Sequence, residues 1–213
     1  MLARAVDAAD GPSEPILSER LGQWIDWTRA VALARALDRP RAAQPLASTV
    51  NATTEAEACA QARQRLVEAI GNRKEWDVAL SRMLASRAEP DAATDFGPLR
   101  RRYITLQNAM QAATGRLRDQ LRERLAQGDA AMARLADVDV VMEGVLSPRE
   151  HALLSKVPDL LGRRFQQMDQ DTPRAAGDAW LHHFPKDMQD LLLAELDVRF
   201  QPVDGLLAAL RNH

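Results

Sequence analysis

Apolar residues are spaced as in one long helix throughout residues 98–127, PLRRRYITLQNAMQAATGRLRDQLRERLAQ. Apolar residues recur there at steps of three or four, and such steps place side chains on one stripe of an α-helix. The stripe consists of Leu99, Tyr103, Leu106, Met110, Ala113, Leu117, Leu121 and Leu125. A helix of this length extends roughly 45 Å, because each residue adds about 1.5 Å. The stretch therefore predicts a helix that is longer than a small domain is wide.

The composition extends this helical prediction to the whole chain. The 213 residues include 37 Ala and 28 Leu against 4 Ile and 12 Val, so strong helix formers dominate and strand formers are scarce. Apolar residues make up 46% and charged residues 27%, which is typical of a folded protein with a core. We predict an all-α fold of about six to eight helices. An elongated bundle or a long helical hairpin is favoured, because we expect too few neighbours to surround so long a helix.

Breaks in the helical pattern indicate how the chain is organised. We expect residues 18–213 to form a single helical domain and residues 1–17 to be poorly ordered. Two stretches rich in proline and small residues, 38–53 and 88–97, are predicted to be mobile breaks between helices. The first helix is expected to begin after Ser18, which is a suitable N-cap residue.

Local signals mark three further helix boundaries. Pro98 stands where the first turn of a helix accepts proline. The run 147–150, Ser-Pro-Arg-Glu, has the pattern of a capping box and predicts a new helix start. Between residues 54 and 86 the pattern fits either one long helix or a helical hairpin interrupted at Gly71 and Asn72, and the sequence leaves both open.

The sequence offers no group of residues that predicts catalysis or metal binding. Cys59 is the only cysteine and stands among alanines, which favours an inert, buried or half-buried thiol. His182 and His183 are adjacent, so on a helix their rings diverge by about 100° and do not readily share a metal ion. Gly-x-Ser-x-Gly and phosphate-binding glycine loops are absent from the sequence. We therefore expect neither an enzyme nor a cofactor.

Trp24 and Trp27 lie three residues apart and share a face of the first predicted helix. An exposed tryptophan pair would be a strong anchor for a partner, because aromatic side chains dominate the energetics of interfaces. Only 4% of the residues are aromatic, so burial of these large rings in the core is the favoured interpretation. Both tryptophans remain candidate partner-binding residues.

Arginines give the long helix a positive charge. The candidates for contact with a partner are Arg100, Arg101, Arg102, Arg118 and Arg122, and Arg116 and Arg124 add to the same helix. A nucleic-acid-binding regulator that uses helix 98–127 is the alternative function, but such a patch needs its charge on one open face. The net charge of the chain is -2, and acidic residues follow closely at Asp137, Asp139 and Glu143. We expect the arginines to pair with this acidic segment and nucleic-acid binding to be absent.

Three blocks of the chain carry a resemblance to known proteins: residues 18–28 (SERLGQWIDWT), residues 140–165 and residues 184–210 (FPKDMQDLLLAELDVRFQPVDGLLAAL). They resemble a bacterial family known only as DUF3348, and the last block is the most specific of the three. The resemblance implies no reaction, cofactor or catalytic residue for this chain. Genes of the family tend to lie beside those for a membrane protein that resembles motor or energy-transducing subunits and for a protein with a peptidoglycan-binding outer-membrane-type domain. The resemblance therefore implies a cytoplasmic accessory role beside an envelope complex.

These observations together predict a non-enzymatic helical interaction or scaffold protein. The sequence shows no secretory signal and no apolar run of the roughly 20 residues that a membrane span needs, so we expect a cytoplasmic protein without membrane insertion. The expected partner is another protein, with neighbouring envelope-complex proteins as candidates, or a second copy that binds through the 98–127 stripe.

Overall fold

The structure, a computed structural model, describes residues 24–38, 52–87, 94–171 and 179–212. Across these ranges, 93% of the residues are helical and none lies in a strand, so the predicted all-α class is confirmed. Seven helices are described: α1 (Trp27–Asp38), α2 (Ala52–Gly71), α3 (Arg73–Arg87), α4 (Gly97–Ala126), α5 (Ala130–Leu154), α6 (Val157–Asp171) and α7 (Ala179–Arg211). One residue separates α2 from α3, and two separate α5 from α6. The seven helices thus form five rods of a bundle.

The two longest helices, α4 and α7, form the central pair of the bundle. They run parallel, because Tyr103 contacts Glu195 near one end, and Thr114 lines the same cleft as Pro202 further along both helices. The α2–α3 rod packs along α4 in the opposite direction, with Glu55 bonded to Arg124 at one end of α4. The α5–α6 rod also runs antiparallel to α4 on its other side, and α1 packs chiefly against α5.

The apolar stripe of α4 lies inside the bundle. Leu99, Tyr103, Met110 and Leu125 are each fully buried, because α2, α3, α5, α6 and α7 all contact α4. The stripe predicted as a surface for a second copy is thus covered by helices of its own chain. Two rods, each built from helices that follow one another almost end to end, provide enough length to cover it. Leu196 and Phe200, from the predicted C-terminal stripe, are buried on the facing side of α7.

The open question between residues 54 and 86 is settled by a break at Asn72 between α2 and α3. A helix end leaves backbone carbonyl groups without intrahelical partners. Two side chains satisfy such carbonyl groups here. Trp76 Nε1 donates to the Ile70 carbonyl at 2.7 Å, and Arg102 Nη2 donates to the Ala69 carbonyl at 2.8 Å. The break is thus held by one side chain from α3 and one from α4.

The helix start predicted at residues 147–150 is wrong, since these residues lie inside α5 and Pro148 is an interior proline. Proline removes one backbone donor and crowds the carbonyl four residues earlier. That carbonyl belongs to Gly144, which is exposed and has nothing near the position of a Cβ atom. The helix continues past Pro148 to Leu154. Pro98, in contrast, lies in the first turn of α4 as predicted.

The remaining sequence-derived boundaries differ in detail. A helix begins at Trp27, with the Asp26 side chain accepting from the Arg29 amide at 2.9 Å, so the predicted continuous first helix is interrupted. Its expected start at Ser18 and the segment 1–17 lie outside the described residues. Of the two predicted breaks, 39–51 and 88–93 also lie outside them, while residues 94–96 are described and are not helical.

Candidate functional site

Arginines of α4 form a compact ion-pair cluster with carboxylates of α5. Arg118 binds Asp139 through Nε and Nη2, at 2.8 and 2.7 Å, in a bidentate arrangement. Arg122 binds the same carboxylate at 2.7 Å and Glu143 at 2.6 Å. The side chains of Arg118, Arg122 and Asp139 are only 10–13% exposed. The expected pairing of the basic helix with the acidic segment is thus present here, and it engages both guanidinium groups within the chain.

The protonation of Arg122 follows from the same contacts. Burial alone would lower the pKa of this guanidinium, but the hydrogen bonds to Glu143 and Asp139, together with the charges of both carboxylates, outweigh it and raise the pKa. The cluster therefore keeps the Arg122 guanidinium charged in the folded protein. It stabilises the packing of α4 on α5 and leaves Arg118 and Arg122 without a free face for a partner.

The three consecutive arginines at the start of α4 have different surroundings. Arg100 binds Asp159 of α6 at 2.9 Å. Arg102 binds Glu75 at 2.5 Å, and its guanidinium lies over the Trp76 ring at 6.0 Å. Arg101 is exposed. The run therefore does not form one open basic face.

The tryptophan pair is separated in the structure. Trp27 is 83% exposed at the start of α1, so the favoured interpretation of core burial is wrong for this residue. Trp24 is half-buried, and the Arg149 guanidinium of α5 lies over its ring at 5.2 Å. The large rings of the core come instead from Trp76, Phe165 and Phe200. Because these three residues fill the core, the low aromatic content does not require Trp27 to be buried.

An open groove of about 650 Å³ lies between α1 and α5. Its apolar wall is formed by Ala32, Ala36, Val140 and Val141, and charged residues border it. Val140, in the groove wall, is 54% exposed. Elsewhere on α1, Trp27 and Leu37 are 83% and 49% exposed and do not line the groove. We call the surface formed by this groove, with the exposed Val140 in its wall, the α1–α5 face.

A second, polar cleft of about 210 Å³ lies between α4, α5 and α7. Arg199 Nη1 donates to Glu150 Oε1 at 3.0 Å, and its Nη2 lies 4.0 Å from Glu195 Oε2. Arg118 and Glu143 line the opposite part of the cleft. Each arginine of the cleft thus faces carboxylates of the same chain, and these ion pairs hold the three helices together.

Sequence reasoning missed the buried polar pair of α7. Glu195 and Arg199 are 6% and 8% exposed, although both are charged. The sequence does indicate this pair, because Glu195 and Arg199 stand one turn apart within an apolar stripe. That stripe contains Leu192, Leu196 and Phe200 and lies on the buried side of the helix. Charged residues that fall inside an apolar stripe predict a buried ion pair or hydrogen-bond network.

Within the described ranges, no three His, Cys, Asp or Glu side chains are grouped so that they could hold a metal ion. His182 and His183 are both exposed on α7, and Cys59 is buried, as the sequence predicted. Of the helices described, none combines the length and the apolar character needed to cross a membrane.

Comparison with known proteins places these features in a family. Residues 1–212 match DUF3348, whose description is protein of unknown function. No curated protein and no solved structure matches the chain. The family match covers all seven described helices, including the α1–α5 face and the ion-pair cluster, and the chain belongs to the DUF3348 family.

Proposed function

We propose that this protein is a non-enzymatic helical interaction or scaffold protein that binds another protein through the α1–α5 face. The observation that carries the proposal is the distribution of exposed apolar side chains. Among the described residues, nine large apolar side chains are exposed, and five of them belong to α1 or α5: Trp27, Leu37, Leu135, Val140 and Leu153. The other four are single residues on α2, α3, α6 and α7. More than half of the exposed large apolar side chains thus belong to two neighbouring helices, which favours these helices as the place of an interaction site.

The loose packing of α1 also supports this proposal. Ala36 is the one buried residue of α1, and the helix packs chiefly on α5. A helix of this length is marginal in water without apolar cover. A protein partner seated on the α1–α5 face would provide that cover.

The proposed setting is the cytoplasm, beside an envelope-associated complex. The resemblance of three sequence blocks supports this setting, and the partner would be a component of that complex. The α1–α5 face suits a helical segment of such a partner, because alanines in the groove wall allow a helix to approach closely.

Site-specific photo-cross-linking in cells tests the proposal. A photoreactive residue replaces Val140 in one variant and Val78, on α3, in the control; the two valines are 54% and 50% exposed. We expect a discrete cross-linked product with a second protein from position 140 and none from position 78. Cross-linking of neither position, or equal cross-linking of both, would contradict the proposal.

A binding measurement then identifies the partner. The purified protein is mixed with each purified component of the envelope complex, and we expect one of them to bind. Val140→Ser should weaken this binding by roughly tenfold or more, whereas Val78→Ser should not, since few interface residues carry most of the affinity. Equal melting temperatures of the two variants would exclude unfolding as the cause.

A further inference from the structure

Arg199 of α7 is a buried guanidinium that uses little of its hydrogen-bonding capacity. Its side chain is 7% exposed, and a guanidinium carries several N–H donors. Among the described residues it forms a single hydrogen bond, from Nη1 to Glu150 Oε1 at 3.0 Å. Its Nε is buried without an acceptor, and its Nη2 lies 4.0 Å from Glu195, a carboxylate that already accepts from Tyr103 and Gln107. Since buried donors are nearly always satisfied, Arg199 needs a further acceptor.

The polar cleft between α4, α5 and α7 provides space for such an acceptor beside Arg199. Its volume of about 210 Å³ is that of roughly seven water molecules, so it fits a molecule with about that many non-hydrogen atoms. The side chains of Gln111, Ser147 and His151 also line the cleft, and they form no hydrogen bond with any described residue. Polar groups that converge from several elements on one cleft are typical of small-molecule sites.

Gly115 of α4 keeps this cleft open. It lies in the interior of the helix, where glycine is a poor helix former. A Cβ atom at this position would meet no atom within 4 Å, so the packing of the helices does not require a glycine. Because Gly115 lines the cleft, any side chain here would take up part of its volume.

The charges of the lining favour a ligand that carries both signs of charge. Arg118 pairs with Glu143 at 3.4 Å in one part of the cleft, and Arg199 pairs with Glu150 in the other, so the two pairs are neutral overall. A simple anion would be repelled by the two glutamates, and a simple cation by the two arginines. In a free amino acid the ammonium and the carboxylate are attached to one carbon, so they are neighbours, as the charges of Arg199 and Glu150 are.

We propose that the polar cleft binds a small zwitterion of the free amino acid type. Its carboxylate accepts from the Arg199 guanidinium, and its ammonium donates to Glu150 Oε2, which accepts no hydrogen bond from a described residue. Ser147 and Gln111 supply hydrogen bonds to the rest of the molecule. The residues of this cleft are separate from those of the α1–α5 face, so the inference adds a ligand site to the proposed function and does not depend on it.

Isothermal titration calorimetry of the full chain with the common amino acids, one at a time, tests the inference. We expect saturable binding of at least one of them. Its amide lacks the carboxylate and its N-acetyl derivative lacks the ammonium, so each should bind roughly tenfold more weakly or not at all. Inorganic phosphate, which is a simple anion, should not bind.

Two glycine variants show where the amino acid binds. Gly115→Leu fills part of the cleft and should weaken binding by roughly tenfold or more. Gly205→Leu is the matched control, because Gly205 is also inside a helix, has no atom within 4 Å of a Cβ position and does not line the cleft. Both variants replace glycine by a good helix former, so both should keep the helical content and at least the melting temperature of the wild type.

Three results would overturn the inference. The first is the absence of saturable binding for every amino acid. The second is equal binding by Gly115→Leu and Gly205→Leu, which would place the ligand outside the cleft. The third is binding of phosphate, the amide or the N-acetyl derivative as tight as that of the amino acid, which would show that the site does not recognise both charges.

Discussion

The Tyr103 hydroxyl of α4 donates a 2.6 Å hydrogen bond to Glu195 of α7, within the parallel central pair. Gln107 Nε2 donates to the same carboxylate at 2.8 Å. Because Glu195 is 6% exposed, water cannot replace a lost donor easily. We expect Tyr103→Phe to lower the free energy of unfolding by about 1–3 kcal/mol, measured by urea denaturation with an unchanged m-value. Unchanged stability would show that the carboxylate finds another donor.

The ionisation of Tyr103 predicts how stability depends on alkaline pH. Burial first, and then the hydrogen bond and charge of Glu195, raise the pKa of this phenol above its ordinary value. The unfolded chain releases the phenol proton near about pH 10, and the folded chain retains it. The stabilisation is therefore complete below about pH 10 and is lost as the pH rises towards the folded pKa.

This dependence can be measured by urea denaturation at increasing pH. The wild type should lose more stability above about pH 10 than Tyr103→Phe does. The thiol of Cys59, whose pKa is also raised by burial, contributes equally to both proteins and cancels in the comparison. Tyr103 is the only tyrosine, so the ultraviolet absorbance of tyrosinate reports this group alone. Parallel loss of stability in the two proteins would contradict the prediction.

Removal of the shared carboxylate of the ion-pair cluster should strongly destabilise the protein. Asp139→Ala leaves Arg118 and Arg122 buried with fewer acceptors, and breaking a buried pair in this way costs about 3–5 kcal/mol. Asp119→Ala is the matched control, because Asp119 also binds Arg122, at 3.1 Å, but its side chain is 71% exposed. Exposed pairs contribute about 0–1 kcal/mol. Thermal melts that rank the two variants equally would show that burial does not decide the outcome.

Truncations in the C-terminal stripe should act through the core. Leu196 and Phe200 are each 1% exposed, so Leu196→Ala or Phe200→Ala is expected to cost roughly 2–5 kcal/mol in free energy of unfolding. Val198→Ala, at a position that is 47% exposed on the same helix, should change stability much less. If Leu196→Ala melted like the wild type but lost a binding partner, this part of α7 would be a docking surface.

Nucleic-acid binding through α4 is expected to be absent. Arg100, Arg102, Arg118, Arg122 and Arg124 all pair with carboxylates of other helices, which offsets much of the positive charge of α4. A mobility-shift assay at low salt should therefore show no complex with DNA or RNA. A complex that weakens steeply as salt is raised would instead support the nucleic-acid alternative.

The sequence predicted the helical class, the long helix and its apolar stripe because these depend on local spacing. The spacing of Leu99, Met110 and Leu125 fixes which face is apolar, but it does not tell whether the cover comes from the same chain. That decision depends on how α2–α3 and α5–α6 align along α4, which is a tertiary property. The helix start predicted around Pro148 was wrong for the same reason, since a helix cap and an interior turn can share one local sequence pattern.

The candidate site was harder to predict than the fold. The pairing of Arg118 and Arg122 followed from charge balance alone. The exposure of Trp27 did not, because it depends on which aromatic residues already fill the core. Glu195 and Arg199 were passed over, since their position inside an apolar stripe is meaningful only when that stripe is known to be buried.

The parallel arrangement of α4 and α7 has a consequence for synthesis of the chain. The direct partner of α4 in the core is the last described helix, and the α5–α6 rod must be completed before α7 can be laid alongside. Until α7 has left the ribosome, the apolar side of α4 that faces α7 stays uncovered. The nascent protein thus cannot close its core one helix at a time, and a chain that stops before Ala179 would expose the Tyr103 side of α4 to chaperones and proteases.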